Sequence, residues 1–172
     1  MKNLVIGILM LFCFTGFSQE FTYIYDNGKI REKGTHVDGL LSGQYVKYYE
    51  NGEIEEKGIY VNGKKNGEYI MFFKNGQVQE KATYFDGHRN GEYLRYDSNG
   101  QIREKTMFAT GKRHGEHITY FDNGQIDEQG NFVNGEQNGE WVKYYYNGQM
   151  SSKDVFVKGQ KVKHIYFPAT QK

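Results

Sequence analysis

The sequence predicts an all-β protein: an elongated, twisted, single-layer antiparallel meander of repeated β-hairpins, open at both ends. Three observations lead there. Asn-Gly pairs recur every 24 residues at Asn27-Gly28, Asn51-Gly52, Asn75-Gly76, Asn99-Gly100, Asn123-Gly124 and Asn147-Gly148. Two further glycine series keep the same period, one at Gly39, Gly63, Gly87, Gly111, Gly135 and Gly159, the other at Gly43, Gly67, Gly91, Gly115 and Gly139. Self-similarity at such a period marks a repeat architecture rather than one enclosed core. The composition agrees, with 15 Tyr, 12 Phe and a single proline among 172 residues, because aromatic and β-branched side chains suit pleated strands.

The N-terminus stands apart from the repeats. Lys2, the apolar run Leu4 to Phe14, and Thr15-Gly16-Phe17-Ser18 have the charged, apolar and small-residue parts of a secretory signal peptide. The apolar run is too short to span a bilayer. Residues 1–18 are therefore expected to be removed, and the mature protein to be exported to the periplasm, the outer envelope or the medium. The only cysteine, Cys13, lies inside that run between Phe12 and Phe14, a context unsuited to a lipoprotein signal. The mature chain is left without a thiol, which excludes disulfides, cysteine catalysis and thiolate metal sites.

Next, residues 19–27 read as half a unit, since Phe21-Thr22-Tyr23-Ile24-Tyr25-Asp26 matches the second half of those that follow. Five full units come after it, at 28–51, 52–75, 76–99, 100–123 and 124–147, with a partial sixth from Gly148 to Phe167 and a tail at 168–172. Inside a unit, a strand at Glu53–Val61 leads through Asn62-Gly63 to a second strand at Glu68–Lys74, which ends at Asn75-Gly76. Asn-Gly between alternating apolar residues signals a two-residue hairpin of type I′, whose central residues both take positive φ. The expected product is a meander of 12 or 13 strands, about 60 Å long at the usual strand spacing and coiled by the fixed hand of strand twist.

No helical pattern is present to cover such a sheet, so cross-strand ring ladders must hold it. Three are visible: Tyr60, Tyr84, Phe108, Phe132 and Phe156; Phe72, Tyr96, Tyr120 and Tyr144; and Tyr69, Tyr93 and Trp141. Gly34, Gly58, Ala82 and Gly130 leave room for a ring to cross the backbone.

The segment Glu56-Lys57-Gly58-Ile59-Tyr60-Val61-Asn62-Gly63-Lys64-Lys65-Asn66-Gly67-Glu68-Tyr69 resembles a MORN repeat of the bacterial variant class, with Glu68, Glu92, Glu116 and Glu140 where the standard repeat ends in glycine. The resemblance extends over residues 20–167. It implies a twisted hairpin ribbon of the kind mostly described as a scaffold, adaptor or membrane-associated module. Relatives in that class are often described as YwqK-type antitoxins, a cytoplasmic role at odds with a signal peptide.

Charge excludes other classes. The net charge is +1, and removing residues 1–18 takes away Lys2 and no acid, leaving a neutral chain. Neutrality with mixed signs argues against nucleic-acid binding and leaves at most a weak association with a membrane surface. No cofactor motif is present, because the glycine-rich turns lack the Lys-Ser/Thr and helix of a phosphate loop. The Glu-Lys pairs Glu32-Lys33, Glu56-Lys57, Glu80-Lys81 and Glu104-Lys105 read as cross-strand charge pairs rather than catalytic acids. Glu68, Glu92, Glu116 and Glu140, one to a unit, are too far apart to enclose Ca²⁺. His36, His88, His114, His117 and His164 have no spacing that guarantees a metal site, and His36 and His117 replace ladder rings. Ser151-Ser152 lack any accompanying His/Asp arrangement.

The function expected is thus non-catalytic binding of a protein partner as a scaffold of the cell envelope. The alternatives are an immunity protein neutralising one partner, and a surface for a glycan or lipid headgroup. Partner specificity is sought where the repeat is broken, at Asp97, Arg113, His114, His117 and Trp141. Lysines and Pro168 blunt the C-terminal edge, which favours a monomer.

Overall fold

The computed structural model describes residues 17–169. The signal peptide read at 1–18 therefore lies outside the described residues except for Phe17 and Ser18, and the tail except for Pro168 and Ala169. Fourteen strands form one open antiparallel sheet, and no helix occurs among the described residues. They are β1 (Ser18–Ile24), β2 (Ile30–Val37), β3 (Leu40–Leu41), β4 (Gly43–Tyr48) and β5 (Ile54–Val61). The middle of the sheet holds β6 (Lys64–Phe72), β7 (Val78–Phe85), β8 (His88–Tyr96), β9 (Ile102–Ala109) and β10 (Lys112–Tyr120). Finally come β11 (Ile126–Val133), β12 (Glu136–Tyr144), β13 (Met150–Val157) and β14 (Gln160–Tyr166). Each strand pairs with its chain neighbours, and only the two-residue β3 lies off the path, beside β2.

The two turns of a unit are not alike, which corrects the uniform type I′ expectation. Asp38-Gly39, Asn62-Gly63, Asp86-Gly87, Thr110-Gly111, Asn134-Gly135 and Lys158-Gly159 have positive φ at both residues, as type I′ requires. In the Asn27-Gly28 to Asn147-Gly148 series only the glycine has positive φ. There the Gly52 N–H donates to the Tyr49 carbonyl at 2.9 Å and the Tyr49 N–H to the Glu53 carbonyl at 2.8 Å. This is a three-residue loop, a type I turn closed by a glycine bulge. The invariant Asn is needed for its side chain: Asn51 Oδ1 accepts from the Glu53 N–H at 3.0 Å, and Nδ2 donates to the Lys74 carbonyl of the next loop at 3.1 Å. Asn75 and Asn123 reach the following loop in the same way. With Asn27, these residues stitch neighbouring loops together at that margin.

The second strand of a unit also starts earlier than Glu68, at Lys64, and absorbs Gly67 as a bulge. Pairing moves from Gly58↔Tyr69 to Tyr60↔Lys65, so Ile59 faces the three residues between. Gly67 sits at φ 90° there, and Gly91, Gly115 and Gly139 repeat the conformation.

With a single layer, burial must come from neighbours in the same sheet. It is concentrated on one face, in Tyr45, Tyr69, Ala82, Tyr93, Thr106, His117, Phe132, Trp141 and Asp154. The register explains the pattern: Phe21↔Gly34, Tyr45↔Gly58, Tyr69↔Ala82, Tyr93↔Thr106, His117↔Gly130 and Trp141↔Asp154 set each ring opposite a small or short polar residue. The strand on the other side supplies a second ring, as in Gly58↔Tyr69, and it lies so flat that a Cβ added to Gly58 would stand 2.3 Å from the Tyr69 ring, and one on Gly130 2.3 Å from Trp141. The first and third ladders interleave edge-to-face, as in Tyr60–Tyr69 at 6.4 Å and Tyr69–Tyr84 at 5.8 Å between ring centres.

Candidate binding surface

The ring face carries an ordered set of polar groups. Cations lie over rings, with Lys65 Nζ 3.3 Å from the Tyr69 ring centre and the Arg89 guanidinium 4.4 Å from that of Tyr93. Carboxylates accept from buried phenols, as Tyr45 Oη does to Glu32 at 2.7 Å. Burial, and then the hydrogen bond to a glutamate, drives the Tyr45 and Tyr69 hydroxyls far above their ordinary range, and burial beside Glu80 pushes Tyr93 up to about 12. These phenols stay neutral and serve as donors.

The densest group surrounds Glu104 on β9. Its carboxylate meets Arg95 at 3.3 Å, Arg113 at 3.5 Å and the Thr106 hydroxyl at 3.1 Å. Thr106, donating to Glu104, accepts from His117 Nδ1 at 2.7 Å, which assigns the imidazole proton to Nδ1. Burial holds the His117 pKa below its ordinary value, with the Glu104 charge opposing the shift and Arg113 adding to it. A hydroxyl, an imidazole and a carboxylate thus stand in line, but Thr106 has no exposed surface. The chain of bonds ties β9 to β10, and the Arg95–Glu104 pair extends it to β8.

The five residues singled out by breaks in the repeat fall into different settings. Trp141 is 3% exposed and His117 7%. The Trp141 ring contacts His117, Phe132 and Phe156, and its Nε1 donates to the Asn131 carbonyl at 3.2 Å. Arg113 joins them from above, its guanidinium over Phe132 at 5.3 Å, and remains half exposed. His114 is exposed, its Nδ1 accepting from the Asn134 N–H at 3.4 Å. Asp97 lies at the opposite margin, in the Asn99-Gly100 loop, where other units have Tyr or Phe. One carboxylate oxygen accepts from the Asn99 and Gln101 N–H groups and the other meets Arg103 at 3.1 Å. The structure therefore gathers Arg113, His117 and Trp141 and leaves Asp97 apart.

The other face is aliphatic and charged. Lys81–Glu68, Lys105–Glu92, Lys105–Glu116 and Lys153–Glu140 pair across strands at 2.6–3.6 Å. The acidic row is thus matched by lysines. Among the described residues, no three His, Cys, Asp or Glu side chains stand close enough to hold a metal ion.

One surface feature was not foreseen. The residue entering each type I′ turn is apolar, and Val61, Phe85, Val133 and Val157 are exposed, Phe85 by 64%. They end β5, β7, β11 and β13 in one register, two strands or roughly 10 Å apart, except that Ala109 at the end of β9 separates Phe85 from Val133. The apolar residue before each type I′ turn is legible in the sequence at a 24-residue period, whereas its exposure depends on strand-end geometry that residue type alone does not carry.

An open sheet of hairpin units held by rings on short residues defines a repeat protein built on the solenoid plan. The family model of the MORN repeat variant matches residues 20–38, 41–62, 65–86, 89–109, 113–134 and 137–158. The chain belongs to the MORN repeat variant family, whose repeats are generally protein- or lipid-binding modules and typically non-catalytic. Each match from the second onward spans a strand, an Asn-Gly loop and the next strand. No curated protein matches the chain.

Proposed function

We propose that the protein is a non-catalytic, exported scaffold of the cell envelope that binds a protein partner along the type I′ margin of its ribbon. The exposed apolar row of Val61, Phe85, Val133 and Val157 carries this reading. Apolar side chains aligned in one register along a margin, rather than scattered singly, mark an interaction surface. A row that follows the margin from unit to unit suits an elongated partner that touches several units, each contributing a small, similar increment. Export rests on the charged and apolar leader at residues 1–18.

The test is cross-linked affinity purification of the tagged protein from the envelope of its own cell, beside Phe85→Glu and Val133→Glu variants whose folding is checked by circular dichroism. Envelope proteins held by the native chain and lost from both variants would support the scaffold. One stoichiometric polypeptide, toxic when expressed alone, would establish an immunity role instead. Recovery of glycan or lipid without a protein would overturn protein binding.

A further inference from the structure

At six places in the sheet the second strand of one unit meets the first strand of the next, and the same three pairs form each time. A ring faces a short residue, an aliphatic or Thr side chain faces Lys or Gln, and a third residue faces Glu, or Ser at the last site. The first instance is Phe21↔Gly34, Thr22↔Lys33 and Tyr23↔Glu32; a later one is Tyr93↔Thr106, Leu94↔Lys105 and Arg95↔Glu104. The acceptor triplets run Glu32-Lys33-Gly34, Glu56-Lys57-Gly58, Glu80-Lys81-Ala82, Glu104-Lys105-Thr106, Glu128-Gln129-Gly130 and Ser152-Lys153-Asp154.

β14 continues the series on its outer side, where no described strand follows it. It presents His164, Ile165 and Tyr166, in the same order of ring, aliphatic and Tyr as the ring, Thr and Tyr of β1. The Phe167 N–H bonds the Ser151 carbonyl at 2.9 Å, so by strand alternation the N–H groups of His164 and Tyr166 point outward. Val162 and Tyr166 are exposed. Lys161 and Lys163 add positive charge to this end, Lys161 being paired with Asp154.

We propose that the outer edge of β14 binds an extended polypeptide bearing a Glu-Lys-Gly-type triplet, added as a further antiparallel strand. The short residue would lie against His164, the Lys beside Ile165 and the carboxylate beside Tyr166. Main-chain bonds supply affinity and the alternating side chains supply selectivity, as in strand addition generally. A second copy of this chain is a poor occupant, because all six of its own triplets lie in strands already paired on both sides. Pairing β14 with β14 or β1 of another copy would set ring against ring with no short residue beneath.

The proposal rests on the protein-binding reading above but uses a different surface, so the two fail separately. The probe is a fluorescent peptide of residues 52–62, Gly-Glu-Ile-Glu-Glu-Lys-Gly-Ile-Tyr-Val-Asn, titrated with the purified chain. The control peptide exchanges Glu56 and Lys57, keeping composition while moving each charge to the wrong face. Binding should weaken about tenfold with the control, and by a similar factor for a Tyr166→Pro chain, which loses one outward donor. A Phe85→Glu chain should bind the probe as the native protein does. The proposal is overturned by no binding at millimolar concentration, by equal binding of both peptides, or by indifference to Tyr166→Pro in a variant with native circular dichroism. A dimer in light scattering would overturn the exclusion of a second copy.

Discussion

A ring resting on a backbone makes the identity of the residue beneath it decisive. Trp141, the largest ring, lies over Gly130, while Tyr69 and Tyr93 flank Ala82 and the smaller His117 ring faces Thr106. Gly130→Ala should therefore destabilise the protein by about 1–3 kcal/mol through overpacking, whereas Ala82→Gly should cost less. Urea denaturation of both variants checks this, and equal losses would refute ring-on-backbone packing as the cause. His117 makes stability depend on pH at the same scale. Its folded pKa is depressed by burial, so its contribution is complete above the unfolded value near 6.5 and is lost as pH falls below it. Asp154 responds at lower pH: burial opposes its ionisation, but hydrogen bonds from Lys161 and His164 outweigh that and hold its pKa below the usual carboxylate range. Its contribution is lost only as pH drops through about 4 and lower. A native melting temperature that falls between pH 7 and pH 5, with a smaller fall in His117→Gln, is the expected result.

At the scale of the element, the two turns of a unit fail for different reasons. Asn75 satisfies the Gln77 N–H at 3.0 Å and donates to the Ser98 carbonyl at 2.9 Å, so Asn75→Ala should cost about 1–3 kcal/mol for two net hydrogen bonds. In the type I′ series Thr110 sits at φ 46°, an unfavourable conformation for a β-branched residue. Thr110→Asn should raise stability by about 1 kcal/mol, read from the denaturation midpoint of each variant. The period, the hairpins and the ring ladders were legible in the sequence because each depends on residue type at a fixed spacing. The distinction between turns was not, since Asn-Gly satisfies both and only the φ of the asparagine separates them. Lys64 to Gly67 looked like a continuation of the turn because a glycine bulge and a loop share their residues. Of the candidate surface, Arg113, His117 and Trp141 were found as departures from the repeat. Their partner Glu104 was hidden because it conforms to the repeat, although Thr106 broke the run of Gly and Ala. A break in a repeat also reports repacking, and for His117 and Trp141 the burial shows that packing is what changed.

For the whole molecule, stability is the sum of similar interfaces between neighbouring strands, because each strand pairs only with those beside it on the path. Length is then adjustable in whole units and not in halves. Deleting residues 76–99 removes one ring strand and one short-residue strand and joins the chain at an equivalent Asn-Gly loop, so each remaining ring still faces a short residue. Deleting residues 76–87 removes β7, its turn and the Gly76-Gln77 end of the preceding loop, and sets ring strand β8 directly after ring strand β6 with no short-residue strand between Tyr69 and Tyr93. The whole-unit deletion should fold as a monomer, with its urea m-value reduced in proportion to the surface lost. The half-unit deletion should lose its cooperative transition or aggregate, since two ring strands cannot lie flat on each other and unpaired sheet edges would be left open. Circular dichroism with light scattering separates these outcomes. If the half-unit deletion folds as cooperatively as the whole-unit one, hydrogen bonding of the meander suffices, and the alternation of rings and short residues is not what sets the register of the ribbon.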